Sequence, residues 1–207
     1  MGLFIPTYFA PISQYAAMEQ SDTIVFELDD NFQKQSYRNR CYIFGANGKQ
    51  LLNVPLKHPV SSERKKTKDA QVDNSVTWQL QHLKSLQAAY RNSPFFEFYI
   101  DDLQPVFEKK FTFLHDLTLE THQILTEALV LEKTYSTSSN YQIAPAMPDF
   151  RFLATAKKEK TLVMEPYIQL FDTVHGFLPN LSILDLLFME GPNALNLLGK
   201  ITLPTSA

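Results

Sequence analysis

The sequence predicts an α/β fold: an N-terminal βαβ unit and a β-hairpin form a small, mostly parallel sheet, followed by a helical C-terminal half. Three observations carry this. Two short apolar runs, residues 2–6 and 23–28, bracket a stretch of helical character. An Asn47-Gly48 pair separates two β-prone runs. From Trp78 onward apolar residues recur at helical spacing.

The elements follow in order. Gly2-Leu3-Phe4-Ile5-Pro6 suits a buried strand, and residues 12–19 a helix that Ser21-Asp22 breaks. Thr23-Ile24-Val25-Phe26-Glu27-Leu28 is β-branched and aromatic, a second strand. Strand, helix and strand in so short a span form a compact βαβ unit with parallel strands. Asp29-Asp30-Asn31 then falls at the carboxyl end of the second strand, the edge where open α/β sheets bind ligands.

Residues 35–44 and 49–56 flank the Asn-Gly turn as a hairpin, and alternation places Ser36, Arg38, Arg40 and Tyr42 on one face. The polar, basic run Ser61–Lys68 reads as a loop. Asp73-Asn74-Ser75 offers capping groups to a helix through Trp78, His82, Leu86 and Tyr90, ended by Ser93-Pro94. Further helices are expected over 95–108 and 112–131, and Tyr135 to Pro148 reads as a linker. In the terminal segment Asn180 or Ser182 caps a helix with Asp185 in its first turn, and Gly191-Pro192 stops it. The whole is a single domain over 1–207. It has an α/β part with a basic loop (1–70), a helical part (71–133), a loop-rich segment (134–165) and a C-terminal helical segment (166–207).

Composition narrows the function classes. A chain of 207 residues can bury a substantial core. A net charge of -3 argues against general nucleic-acid binding and against a polybasic membrane anchor. A single cysteine, Cys41, excludes an internal disulfide, and no Cys/His spacing suits zinc, so no metal is expected. Neither a signal peptide nor a membrane span is apparent, which makes a reducing cytoplasm the simplest location. No residue pattern assigns a cofactor or an oligomeric state.

Arginines at 38 and 40, with Lys34 nearby, suit bidentate contact with phosphate or carboxylate; they equally read as solvated, or as salt-bridged to Asp29 or Asp30. The strand-to-helix loop around Tyr8 and Gln14 can present backbone N–H groups to an anion, or simply pack as a tight connection. It lacks the His-x-Gly-His motif of nucleotidyltransferase-like folds, which argues against adenylyl transfer. His82 is a candidate proton donor or phosphate ligand, or a hydrogen-bonded structural histidine. Asp29 and Asp30 are candidates for ligand contact or general base work, or ordinary turn formers. Cys41 is assigned to the core.

Taken together, the chain resembles the WbqC-like protein family. The blocks that carry the resemblance are Pro6-Thr7-Tyr8-Phe9 to Gln14-Tyr15, Leu28-Asp29-Asp30 with Phe32-Gln33-Lys34, and Tyr37-Arg38-Asn39-Arg40. Val54-Pro55-Leu56-Lys57 follows, then Trp78 with His82, Leu86 and Tyr90, and last Pro179 to Phe188. Residues 134–165 depart from longer members in being Ser-rich and then basic. The resemblance implies a role in bacterial O-antigen and other surface-polysaccharide biosynthesis, and a phosphorylated or nucleotide-linked sugar as small-molecule ligand. A transferase acting on an activated sugar is its most concrete form. It implies Tyr8, Gln33, Lys34, Arg38, Asn39, Arg40, Lys57, Asn180 and Ser182 as ligand-binding residues, with Asp29, His82 and Gln14 as catalytic candidates. The other reading is a non-catalytic partner in a polysaccharide assembly complex, using an aromatic face of Tyr90, Phe95, Phe96 and Phe98.

Overall fold

A computed structural model describes residues 1–57, 66–157 and 162–204. His58 and residues 61–65 of the basic run lie outside the described residues. The first strand β1 (Gly2–Phe4), helix α1 (Ile12–Glu19) and strand β2 (Ile24–Phe26) form the expected βαβ unit, with β1 and β2 parallel in the register Leu3 to Val25. Both strands are largely buried, as unbroken apolar runs in parallel sheets are. Strand β3 (Arg40–Gly45) and strand β4 (Gly48–Asn53) make the antiparallel hairpin, closed through Gly45 and Gly48. Gly48 takes φ +93, the left-handed region that an Asn-Gly turn supplies without strain.

Three helices pack next: α2 (Trp78–Tyr90), α3 (Phe96–Glu108) and α4 (Leu114–Ala128). The apolar spacing places all three close to where the structure has them. The Asp73 side chain does not cap α2. It accepts from the Ser75 backbone N–H at 2.9 Å, closing a local turn, while Thr77 stands at the helix start.

The linker reading fails at one point. Tyr135–Thr137 is a strand, β5, and pairs parallel with β2, so the sheet order is β1-β2-β5. Its three residues are all exposed, so burial gave the sequence no alternation to display. Backbone bonds do the work instead: Ile24 N–H donates to the Thr134 carbonyl, and Ser138 N–H donates to the Phe26 carbonyl. On the other side of β1, the Leu3 N–H donates to the Pro148 carbonyl and the Phe150 N–H to the Leu3 carbonyl. The segment from 138 to 150 thus loops over the carboxyl end of the sheet.

Near the carboxyl terminus, a short helix α5 (Asp172–His175) precedes α6 (Ile183–Glu190) and α7 (Ala194–Gly199). Ser182 is the cap of α6: its hydroxyl accepts from the Leu184 N–H at 3.3 Å. Residues 183–189 are buried all round, which marks a central core helix. Each Leu or Phe so buried stabilises the fold by roughly 1.5–3 kcal/mol. No helix among the described residues is long and apolar enough to cross a membrane.

Candidate ligand cleft at the carboxyl end of the sheet

Parallel strands deliver their carboxyl ends to one edge, and the polar residues gather there. Glu27, just past β2, is fully buried. Its Oε1 accepts from the Asp29 N–H (2.8 Å) and the Ser138 hydroxyl (2.9 Å), which fastens the exit from β5 to the exit from β2. A lone carboxylate buried in apolar surroundings is tolerated only when so bonded.

The chain then turns through Gln35, at φ +58, into a 3-10 turn over Tyr37–Asn39. This corrects the strand alternation expected for residues 36–39. A 3-10 turn rotates each side chain by a third of a circle, so Arg38 and Arg40 do not share a face. Arg38 points inward and is 3% exposed. It forms an ion pair with Asp30, and its Nε donates to the Thr67 hydroxyl at 3.3 Å. The salt-bridge reading of this arginine therefore holds, with Asp30 as partner. The second oxygen of Asp30, Oδ1, is buried and has no hydrogen-bond partner among the described residues.

A second wall comes from a 3-10 turn at Arg151–Ala154. Arg151 forks onto Asp149, Nε to Oδ1 at 2.9 Å and Nη2 to Oδ2 at 2.7 Å. Its Nη1 donates to the Gln142 carbonyl, and the guanidinium lies 5.1 Å from the Tyr141 ring centroid. The Arg151 pair holds the Asp149 carboxyl below its ordinary range. Between the walls lies a cleft of about 260 Å³, lined by Asp30, Gln33, Arg38, Tyr141, Arg151 and Thr155 among others.

The other expected site residues do not line this cleft. Asp29 sits beside Lys66 (2.6 Å) and Lys68 (2.7 Å), whose hydrogen bonds and charge lower its pKa. Lys34 and Lys57 are exposed. Gln14 is 1% exposed and ties the β1–α1 connection together: it accepts from the Thr7 hydroxyl (2.7 Å) and donates to the Ile5 carbonyl (2.7 Å). Asn180 Oδ1 accepts from the Ser13 N–H at 2.8 Å, and the Ser182 hydroxyl donates to the Phe9 carbonyl at 2.8 Å. The terminal segment thus clamps that same connection, whose Phe9 stands at φ +40.

A second polar cluster joins the hairpin to α2. The Tyr8 hydroxyl meets His82 Nδ1 at 3.0 Å, and His82 also bonds the Asn53 backbone. Burial pushes the imidazole down to about 4, so it is neutral at pH 7. Asn39 donates to Asn53 Oδ1 (3.2 Å) and the Val54 carbonyl (2.8 Å). Arg40 begins β3 opposite Asn53; its Nε is buried and has no hydrogen-bond partner among the described residues. Cys41 is 1% exposed, and burial raises its thiol pKa.

The interior carries a further acidic side chain. Asp185 is 0% exposed and accepts from the Tyr90 hydroxyl (2.7 Å), the Tyr167 hydroxyl (2.5 Å) and Gln169 Nε2 (2.9 Å). Desolvation outweighs these bonds and raises its pKa.

Sequence reasoning missed Glu27, Tyr141, Asp149 and Arg151. Glu27 left a signal, a lone acid ending a β-branched run. Arg151 left almost none, because an Asp-x-Arg in a Pro-containing stretch has no period to place it. The family model that matches the chain is described as WbqC-like protein family and covers residues 6–161. That span contains both walls of the cleft and stops before the terminal clamp. No curated protein and no solved structure matches.

Proposed function

We propose, from the premise that the chain belongs to the WbqC-like protein family, that it binds a phosphorylated or nucleotide-linked sugar in bacterial surface-polysaccharide biosynthesis. The O-antigen is one such polymer. The ligand site is the cleft at the carboxyl end of the parallel sheet. The observation that carries this reading is one cleft at that edge lined by hydrogen-bonding side chains suited to a sugar, Asp30, Gln33, Arg38, Arg151 and Thr155 among them. Each arginine is held in a fixed orientation by its own carboxylate, so little side-chain entropy is lost on binding. The position is where open α/β sheets take their ligands. Lys34, exposed on the same turn as Gln33, supplies a cation for an anionic group. Transfer of the activated sugar is the reaction class that suits such a ligand.

The alternative, a non-catalytic partner docking through an aromatic helix face, loses most of its surface. Tyr90 and Phe96 are buried and Phe95 is half-buried, which leaves Phe98 alone exposed, at 74%. A thermal-shift screen of the intact protein against nucleotide sugars and sugar phosphates tests the proposal. At least one ligand should raise the melting temperature, and Arg151→Ala should abolish that rise. A screen in which none does, or in which Arg151→Ala keeps the full response, contradicts it.

A further inference from the structure

We propose that the cleft holds the uncharged, hydroxyl-bearing part of the ligand, a sugar ring, and that the phosphoryl group lies outside it. This rests on the reading of the cleft as the sugar-ligand site and divides that site in two.

Charge is the first argument. Arg38 and Arg151 look like an anion trap, but each is already matched, by Asp30 and by Asp149. Glu27, fully buried behind them, adds a third carboxylate and acts electrostatically on Arg151. Two guanidiniums therefore stand among three carboxylates, so a phosphate dianion entering this space finds neither guanidinium unmatched and meets repulsion from the carboxylates. In a partly desolvated cleft that repulsion is weakly screened.

Hydrogen-bond accounting is the second. Among the described residues Asp30 Oδ1 is a buried acceptor with no donor, while the other oxygen is bound by Arg38. A buried polar atom left unpaired costs free energy that a ligand donor recovers. Phosphate at neutral pH offers chiefly acceptors. A sugar offers hydroxyl donors, and a carboxylate oriented by an arginine is a strong acceptor for them. Gln33, Thr155 and the half-exposed Tyr141 complete a lining of neutral hydrogen-bonding groups with an aromatic ring. The cleft's volume, about 260 Å³, is of the order of one monosaccharide ring and not of a whole nucleotide sugar.

Chemical-shift mapping on the intact protein tests this. Free glucose, galactose or N-acetylglucosamine at millimolar concentration should move the backbone amide resonances of Gln33, Arg38 and Thr155, and inorganic phosphate should not. Phosphate moving these resonances while all three sugars leave them in place overturns the proposal; the broader reading of a phosphorylated ligand then still stands. If neither the sugars nor the nucleotide sugars move them, both fail. Asp30→Asn gives an independent arm wherever the variant folds. It keeps one acceptor but leaves Arg38 unmatched, so sugar affinity should fall about tenfold or more while phosphate affinity rises. Unchanged affinity for both would overturn the assignment of Asp30 as the hydroxyl acceptor.

Discussion

Arg38 and Asp30 form an ion pair inside the protein, with 3% and 6% of their surfaces exposed, at the edge where the parallel strands end. The pair joins the turn after β2 to the 3-10 turn before β3, and Thr67 joins it from a third segment. One residue thus serves both the fold and the cleft.

Removing one partner of such a pair strands a buried charge. Arg38→Met should destabilise the protein by about 3–5 kcal/mol, read from urea unfolding midpoints. Arg38→Met with Asp30→Leu together should recover much of that loss. If the single change costs less than about 1 kcal/mol, the pair is solvated and the burial argument fails.

Acid sensitivity follows from two histidines. His82 and His122 are both pushed from 6.5 down to about 4 by burial. The unfolded chain binds a proton where the folded one does not, so stability is full above pH 6.5 and falls as pH drops towards 4. Each contributes roughly 3 kcal/mol of this loss. His122 Nε2 has no hydrogen-bond partner among the described residues, and the ring packs on Phe26 and Tyr135. His122→Leu should therefore remove about half of the slope in a pH series of urea midpoints; an unchanged slope would contradict the assignment.

Asp185 acts in the opposite sense. Its folded pKa is raised above 3.8, so its contribution is greatest at low pH and declines as pH rises through the raised value. Asp185→Asn removes that dependence but turns an amide N–H₂ towards Gln169 or Tyr167. The variant should be less stable by roughly 1–3 kcal/mol in acid, with the gap narrowing as pH rises. A gap that widens with pH would refute the raised value.

Gly191 ends α6 at φ +52, and a Cβ there would lie 2.6 Å from the Phe95 ring. Gly191→Ala should cost more than about 1 kcal/mol, from backbone strain and the displaced ring together. A neutral thermal-melt result would mean that Phe95 shifts freely.

Much of the fold was legible because its physics is local. The Asn47-Gly48 turn, the buried runs of β1 and β2 and the apolar spacing of α2 to α4 each carry their own signal. Strand β5 was not, since its three exposed residues show no alternation and gain their place through backbone bonds to β2 and the packing of Tyr135 on Phe26 and His122. The cleft was half legible. Asp30, Gln33 and Arg38 follow one strand end in sequence, whereas Arg151 arrives from more than a hundred residues away and reaches that edge through bonds to β1 and a bridge from Thr155 to Ser36. Alternation misled at Arg38 because a 3-10 turn replaced the strand. Gln14, which the resemblance offers as a catalytic candidate, and Asn39, Asn180 and Ser182, which it offers as ligand contacts, each make internal bonds that shape the loops around the site.

The most direct measurement is a crystal structure of the intact protein soaked with a nucleotide sugar selected by thermal shift. The account predicts the ligand's sugar ring between Asp30–Arg38 and Arg151, with hydroxyls on Asp30 and the phosphoryl groups towards Lys34. A ligand bound elsewhere, or phosphoryl oxygens seated against Asp30, would contradict it.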